Sequence, residues 1–294
     1  MRKILIFGKN GQVASSIYKQ NKNFGFQLFF LDSNSFDFAD KKNLLSIIKK
    51  LNPSLIINAA AYNLVDSAEE NQSESYLANA TGPKYISEIC EQLNLILIHI
   101  STDYVFGKSH MNEPLKEEDP KFPIGVYSKS KLKGENDLIN EKKIILRVSW
   151  VFSSVGENFL LSMIKLANKE KLDIVSDHFG SPTSAMSIAK TILTIAKKIF
   201  DTKEFSSWGV YHFSGYPYCS WHEFASEIFN QMSELKFIEK KPILNQILSK
   251  DYAYKIERPL YSCLNCEKIF NEFSIEMDDW KKAVRIYLAE IYEN

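Results

Sequence analysis

Apolar residues in the first half of the chain come in short unbroken runs, separated by stretches with helical periodicity. Residues 3–8 (KILIFG) read as a buried strand and residues 11–21 as the helix after it. Further strands are expected at residues 27–32, 54–61, 95–101 and 143–150. Between them lie a helix over 41–52 with Asp40 as its cap and a long helix over 75–94. A polar loop with three prolines follows over 108–126, and then the helix that contains Tyr127. The strands are apolar throughout instead of alternating, as when both faces of a sheet are covered. Their alternation with helices predicts an α/β chain with a doubly wound parallel sheet. Ligands of such a sheet lie beyond the carboxyl ends of its strands.

The second half is less regular. Short strands are expected at 172–177 and 209–213, and helices at 184–200, 220–232 and 278–292. We therefore expect a nucleotide-binding unit over 1–150 and a smaller, mainly helical, substrate-covering region over 151–294. Some segments of the latter are expected to return to the first sheet.

At 294 residues the chain buries roughly 75% of its extended surface, enough for a full core without metal or disulfide. Lys plus Arg and Asp plus Glu both number 36. This balance gives no reason to propose nucleic acid or an anionic membrane as partner. No apolar run approaches the ~18 residues of a spanning helix. The four apolar residues before Gly8 are too few for a signal-peptide core, so a cytoplasmic location is expected. Cys263 and Cys266 form a lone C-x-x-C without the second pair of a zinc ribbon. Reduced thiols used for packing are the expectation, and no metal is expected.

Gly8–Ala14 lies between the first strand and first helix with the spacing G-x-x-G-x-x-A. Glycines there permit a tight turn and let a phosphate approach the N–H groups of the helix start. Asp32 ends the second strand 21 residues after Gly11, where an acid commonly bonds the adenosine ribose. The alternative is a structural turn, with Asp32 as a cap.

Tyr127 and Lys131 stand four apart in YSKSKLKGE and so share one face of a helix. A phenol is protonated at neutral pH and can supply a proton to a developing alkoxide. A nearby ammonium would stabilise the phenolate and lower the phenol toward the working range. Spacing alone also fits a solvated face. Position favours chemistry: the fourth strand ends in STDYVFG, with the hydroxyls of Ser101 and Thr102 at its carboxyl edge. Trp150 is read evenly as core packing or as a site residue.

Together these segments resemble an extended short-chain dehydrogenase/reductase, and within that group the dTDP-4-dehydrorhamnose reductase family. GKNGQVA, DFAD, NAAAYNLVDSAE, NAT, STDYVFG, YSKSKLKGE, RVSWVF, ENF, DHFGSPT, SWHEFA and LNCEKI match in order along nearly the whole chain. The resemblance implies a Rossmann-type fold, NADPH or NADH as cofactor, and reduction of the C4 ketone of a nucleotide-linked 6-deoxy-4-keto sugar. It implies that Thr102 orients the carbonyl, Tyr127 donates the proton, and Lys131 holds the nicotinamide ribose and activates the tyrosine. It places Gly8, Asn10, Gly11, Gln12 and Val13 by the pyrophosphate, and Asp32, Asp37 and Phe38 by the adenosine. Ala60, Ala61 and Tyr62 lie by the cofactor's middle; Asp103, Trp150, Asn158 and Arg258 contact the nucleotide sugar.

Departures from the family pattern are informative. Ser16 aligns with an acid linked in some relatives to a metal-bridged dimer, so no such metal is expected. Tyr261 and Cys263 are unusual in the late nucleotide-contacting segment, where Arg258 keeps one positive charge. Rival readings are a sugar 4-epimerase or dehydratase on the same scaffold, or a non-catalytic subunit similar to the regulatory subunit of methionine adenosyltransferase. Asp32 repels a 2′-phosphate while Lys9 offsets it, which leaves NADH and NADPH both open. A monomer or a homodimer is expected.

Overall fold

The structure is a computed structural model that describes residues 1–108 and 113–293. Residues 109–112 of the proline-containing loop, and Asn294, lie outside the described residues. Six parallel strands form the central sheet: β1 (Lys3–Phe7), β2 (Gln27–Leu31), β3 (Leu55–Asn58), β4 (Ile96–Thr102), β5 (Lys143–Val148) and β6 (Gly209–His212), in the spatial order β6-β5-β4-β3-β1-β2. The crossover helices are α1 (Gln12–Gln20), α2 (Lys41–Leu51), α3 (Gly82–Leu93) and α4 (Gly125–Asn136). They are followed by α5 (Phe159–Leu166), α6 (Ala185–Asp201), α7 (Trp221–Glu234), α8 (Glu267–Phe273) and α9 (Trp280–Tyr292).

The unbroken apolar runs have a simple cause. Alternate residues of one strand enter different cores. Ile4 and Ile6 join Ala14 and Ile17 of α1 and the buried face of α6. Leu5 and Phe7 join Leu44 and Ile48 of α2 and Ile86, Ile89 and Cys90 of α3. A third cluster, built by Phe152, Leu160, Phe224, Ile228, Trp280 and Val284, holds α5, α7 and α9 together. No helix among the described residues is long and apolar enough to cross a membrane.

Four expectations are corrected. The third strand stops at Asn58, and the fifth stops at Val148. Trp150 then takes a positive φ of 42°, and Val151–Phe152 pairs with Thr183–Ser184 instead. The expected helix over 75–94 starts earlier, at Gln72, and is interrupted by a π-turn at Leu77–Thr81 before α3 begins. Pro83 has no N–H for the regular ladder, so the bonding pattern shifts just ahead of it. Lys171–Val175 pairs with Ile243–Ile247 outside the central sheet, and the latter strand falls where helices were expected. By contrast, 209–213 does return to the central sheet beside β5, and Asp40 caps α2 through a 2.9 Å bond from Asn43 N–H.

Candidate active site

The cleft opens at the carboxyl ends of β1, β3, β4 and β5. Its outer part is a cavity of about 670 Å³ lined by Gly8, Asn10, Gly11, Asp32, Asp37, Phe38, Ala60, Ala61 and Tyr62, among others. Gly8 has φ +92°, and a Cβ there would lie 2.8 Å from the backbone of Ala59 and Ala60. Only glycine fits this turn. No side chain caps the first turn of α1, so its free N–H groups face the turn and suit an anion. Asp32 accepts from Ser35 Oγ at 2.7 Å and Asn34 N–H at 3.1 Å. The Ser35 hydroxyl above all holds it below the usual carboxylate range. Lys9 Nζ stands 3.9 Å away. Asp37 accepts from Ala39 N–H at 2.8 Å. The ring of Phe38 leaves no room for a side chain at Gly82.

Asn79 was not anticipated as a site residue, although it lies in a matching motif. Its amide accepts from Tyr62 N–H at 2.9 Å and donates to Tyr62 C=O at 3.1 Å. It also donates to Ser130 Oγ of α4 at 3.0 Å. A Cβ on Gly134 would come 2.0 Å from Asn79 C=O, so α4 packs here backbone to backbone.

The inner part of the cleft, about 290 Å³, shares Gly11, Ala59, Ala61 and Asn63 with the outer part. Its lining brings together Gln12, Val13, Thr102, Asp103, Tyr127, Lys131, Trp150 and Trp221. Tyr127 is 8% and Lys131 2% exposed, which removes the solvated-face reading. Lys131 Nζ donates to Ile100 C=O at 2.8 Å.

One electrostatic expectation is reversed. Burial pushes the Tyr127 phenol up to about 12, against the Thr102 hydrogen bond, and the nearby Asp103 charge pushes the same way. Burial also pulls Lys131 down to about 8, with Glu135 opposing. Desolvation penalises each charged form more than spacing along a helix can offset. Asp103, 2% exposed, is raised to about 6 by burial, against hydrogen bonds from Ser262, Ser149 and Thr102.

Trp150 stacks on Trp221 with ring centroids 3.5 Å apart and planes 7° from parallel. The ring occupies the space a Cβ on Gly180 would take. Trp221 is a further site residue that sequence reasoning missed. Its signal was the S-W-H-E start of α7, where Ser220 and Glu223 form a capping box that fixes the helix start.

Two expected residues are not among those lining the cleft. Asn158 caps α5 and donates to Gln12 Oε1 at 2.9 Å, so its amide holds the first residue of α1. Arg258 is held by Asp66 Oδ2 at 2.7 Å and lies over the Tyr254 ring. Tyr261 bonds Cys263, one residue either side of Ser262. Cys263 and Cys266 are buried free thiols pushed up to about 12 and 11 by burial. Ser16 is buried within reach of Tyr287. Among the described residues no group of three or more His, Cys, Asp or Glu could hold a metal ion.

The profile of the RmlD substrate binding domain matches residues 1–293. The chain is 39% identical over 289 residues to a dTDP-4-dehydrorhamnose reductase of Aggregatibacter actinomycetemcomitans, covering 97% of this chain and 98% of that one. A crystal structure of a dTDP-4-dehydrorhamnose reductase from Clostridium acetobutylicum superposes with TM-score 0.90 at 29% identity, over 98% of this chain and 99% of that one. One from Bacillus anthracis, in complex with NADP, superposes with TM-score 0.87 at 28% identity, over 99% of both chains.

Proposed function

The chain belongs to the RmlD substrate binding domain family, and from that premise we propose how its cleft works. It is an NAD(P)H-dependent oxidoreductase of the dTDP-4-dehydrorhamnose reductase type. Its reaction reduces the C4 ketone of dTDP-4-dehydro-L-rhamnose to give dTDP-L-rhamnose, a precursor for polysaccharide biosynthesis. The observation that carries this reading is the convergence of Thr102, Tyr127 and Lys131 at the inner end of a cavity lined by Gly8, Gly11 and Asp32.

The residues fit a dinucleotide. The glycine turn and uncapped start of α1, with Gly8, Asn10, Gly11, Gln12 and Val13, would hold the pyrophosphate. Asp32, Asp37 and Phe38 would flank the adenosine, and Ala60, Ala61 and Tyr62 the middle of the cofactor. Asp32 disfavours a 2′-phosphate and Lys9 beside it offsets that charge, so the site suits NADPH or NADH. When bound, the cofactor supplies the hydride.

The protein's own groups do the rest. Tyr127, raised by burial, is fully protonated at neutral pH and donates its proton to the oxygen on C4. Lys131 sits one turn along the same helix and offsets the negative charge left on the phenol. The stacked Trp150 and Trp221 rings form an apolar wall that keeps water from the reacting carbon. Orientation supplies much of the acceleration, and the positioned acid adds about 10²–10⁴-fold. The test is a panel of nucleotide-linked 4-keto sugars assayed for NAD(P)H consumption. Oxidation with the dTDP-linked 6-deoxy-4-keto sugar is expected; no oxidation with any member of the panel sinks the reading.

A further inference from the structure

Thr102 has a single hydroxyl proton, and beside an ionised Asp103 carboxylate it points at that group. Thr102 Oγ1 donates to Asp103 Oδ1 at 3.0 Å while accepting from Tyr104 N–H at 3.2 Å. The other carboxylate oxygen, Asp103 Oδ2, accepts from Ser149 Oγ at 2.8 Å. The Ser262 hydroxyl lies near enough to act on the same carboxyl group. An ionised carboxylate accepts only, so the hydroxyls around it must all point at it. In that arrangement Thr102 has no proton left for a substrate carbonyl. A proton on Oδ1 reverses the bond: the Asp103 carboxyl then donates to Thr102 Oγ1, and the Thr102 proton is released toward the cleft.

We propose that Asp103 is a positioning residue acting through Thr102, with the neutral carboxyl as the form that frees the Thr102 hydroxyl to donate to the sugar ketone. This rests on the reductase reading above. The proton stays on Asp103 through the reaction; the hydride still comes from the cofactor and the transferred proton from Tyr127.

The surroundings favour the neutral form. The titratable groups that act on Asp103 are Tyr104 beside it, Tyr127 and Cys263, each raised by burial and uncharged at neutral pH. Burial already raises the carboxyl to about 6. Lys131 lines the same cavity but is committed to Ile100 C=O, and Arg258 acts on Tyr104 from its pair with Asp66. A dinucleotide and a sugar diphosphate add negative charge and exclude water, both of which raise the carboxyl further.

The test compares kcat/KM and kcat for keto-sugar reduction from pH 5 to 9 in wild type, Asp103→Asn and Ser149→Ala. Wild type should lose about tenfold per pH unit above the Asp103 inflection, and that inflection should lie higher in kcat than in kcat/KM. Asp103→Asn should lack this limb, because its amide N–H₂ donates permanently to Thr102 while its oxygen accepts from Ser149. Ser149→Ala removes a bond to the anion and should move the limb to higher pH by about one to two units. A limb that persists at the wild-type Asp103 inflection in Asp103→Asn, or that stays in place in Ser149→Ala, overturns the proposal while leaving the reductase reading intact. A wild type that oxidises no NAD(P)H at any pH overturns the reading itself, and the proposal with it.

Discussion

Replacing Glu135 by Gln should cost the protein about 3 kcal/mol or more of stability. Glu135 and Arg147 are 4% and 3% exposed at their side chains. The guanidinium meets the carboxylate three times, at 2.9, 3.2 and 2.6 Å. Its other hydrogen-bond partners are uncharged. Arg147 Nη1 donates to Glu117 C=O at 3.1 Å and faces His212 Nε2 at 3.3 Å, and burial keeps His212 neutral. Taking one partner from such a pair leaves a buried charge uncompensated, at about 3–5 kcal/mol. The glutamine amide can still accept one bond, which favours the lower end. Against a total of about 5–15 kcal/mol, the loss is large. Removing both charges in Glu135→Leu/Arg147→Met should recover most of it, because the desolvation cost disappears with the pair. Urea unfolding at pH 7, followed by the fluorescence of the four tryptophans, measures each variant. A loss below about 1 kcal/mol in Glu135→Gln, or a double variant as unstable as the single, refutes the reasoning. The pair joins the helix of Tyr127 and Lys131 to β5, so the same loss should lower turnover.

Tyr127→Phe should lower kcat by about 10²–10⁴-fold and leave the dinucleotide dissociation constant nearly unchanged; turnover close to wild type would remove Tyr127 from the chemistry. Lys131 is pulled down to about 8 by burial, so its working ammonium form is lost as pH rises through that value. In Asp103→Asn the descending limb that remains should therefore lie near pH 8, and a flat profile to pH 9 contradicts it. Gly8→Ala places a Cβ against Ala59 at φ +92°, a strain of about 1–3 kcal/mol. Dinucleotide binding, titrated by fluorescence, should weaken about tenfold, and unchanged affinity would show that the turn adjusts freely.

The fold was readable where local chemistry and packing agree. Leu5 and Phe7 face one core and Ile4 and Ile6 the other, so the strand had to be apolar throughout, and the pattern recorded it. The strand Ile243–Ile247 escaped notice because none of its residues is fully buried and no apolar run marks it. The π-turn at Leu77–Thr81 escaped because a single extra residue scarcely disturbs helical periodicity. At the cleft, the spacing of Tyr127 and Lys131 says that they are neighbours but not that both are buried, and burial sets the direction of both shifts. Arg258 offers a cation to any phosphate in the sequence, yet only the folded chain brings Asp66 to it. The Trp150–Trp221 stack joins residues far apart along the chain, a pairing that no local pattern encodes.

Asn79 reads both the N–H and the C=O of Tyr62 and holds the hydroxyl of Ser130 with the same amide. A single side chain thus pegs the Tyr62 segment of the outer cavity to the helix that bears Tyr127. Redesigning this protein for another dinucleotide by moving the Tyr62 loop would drag Tyr127 along with it. Cofactor preference and catalytic alignment are mechanically geared here, and an engineer can change one freely only by working from the Asp32 side.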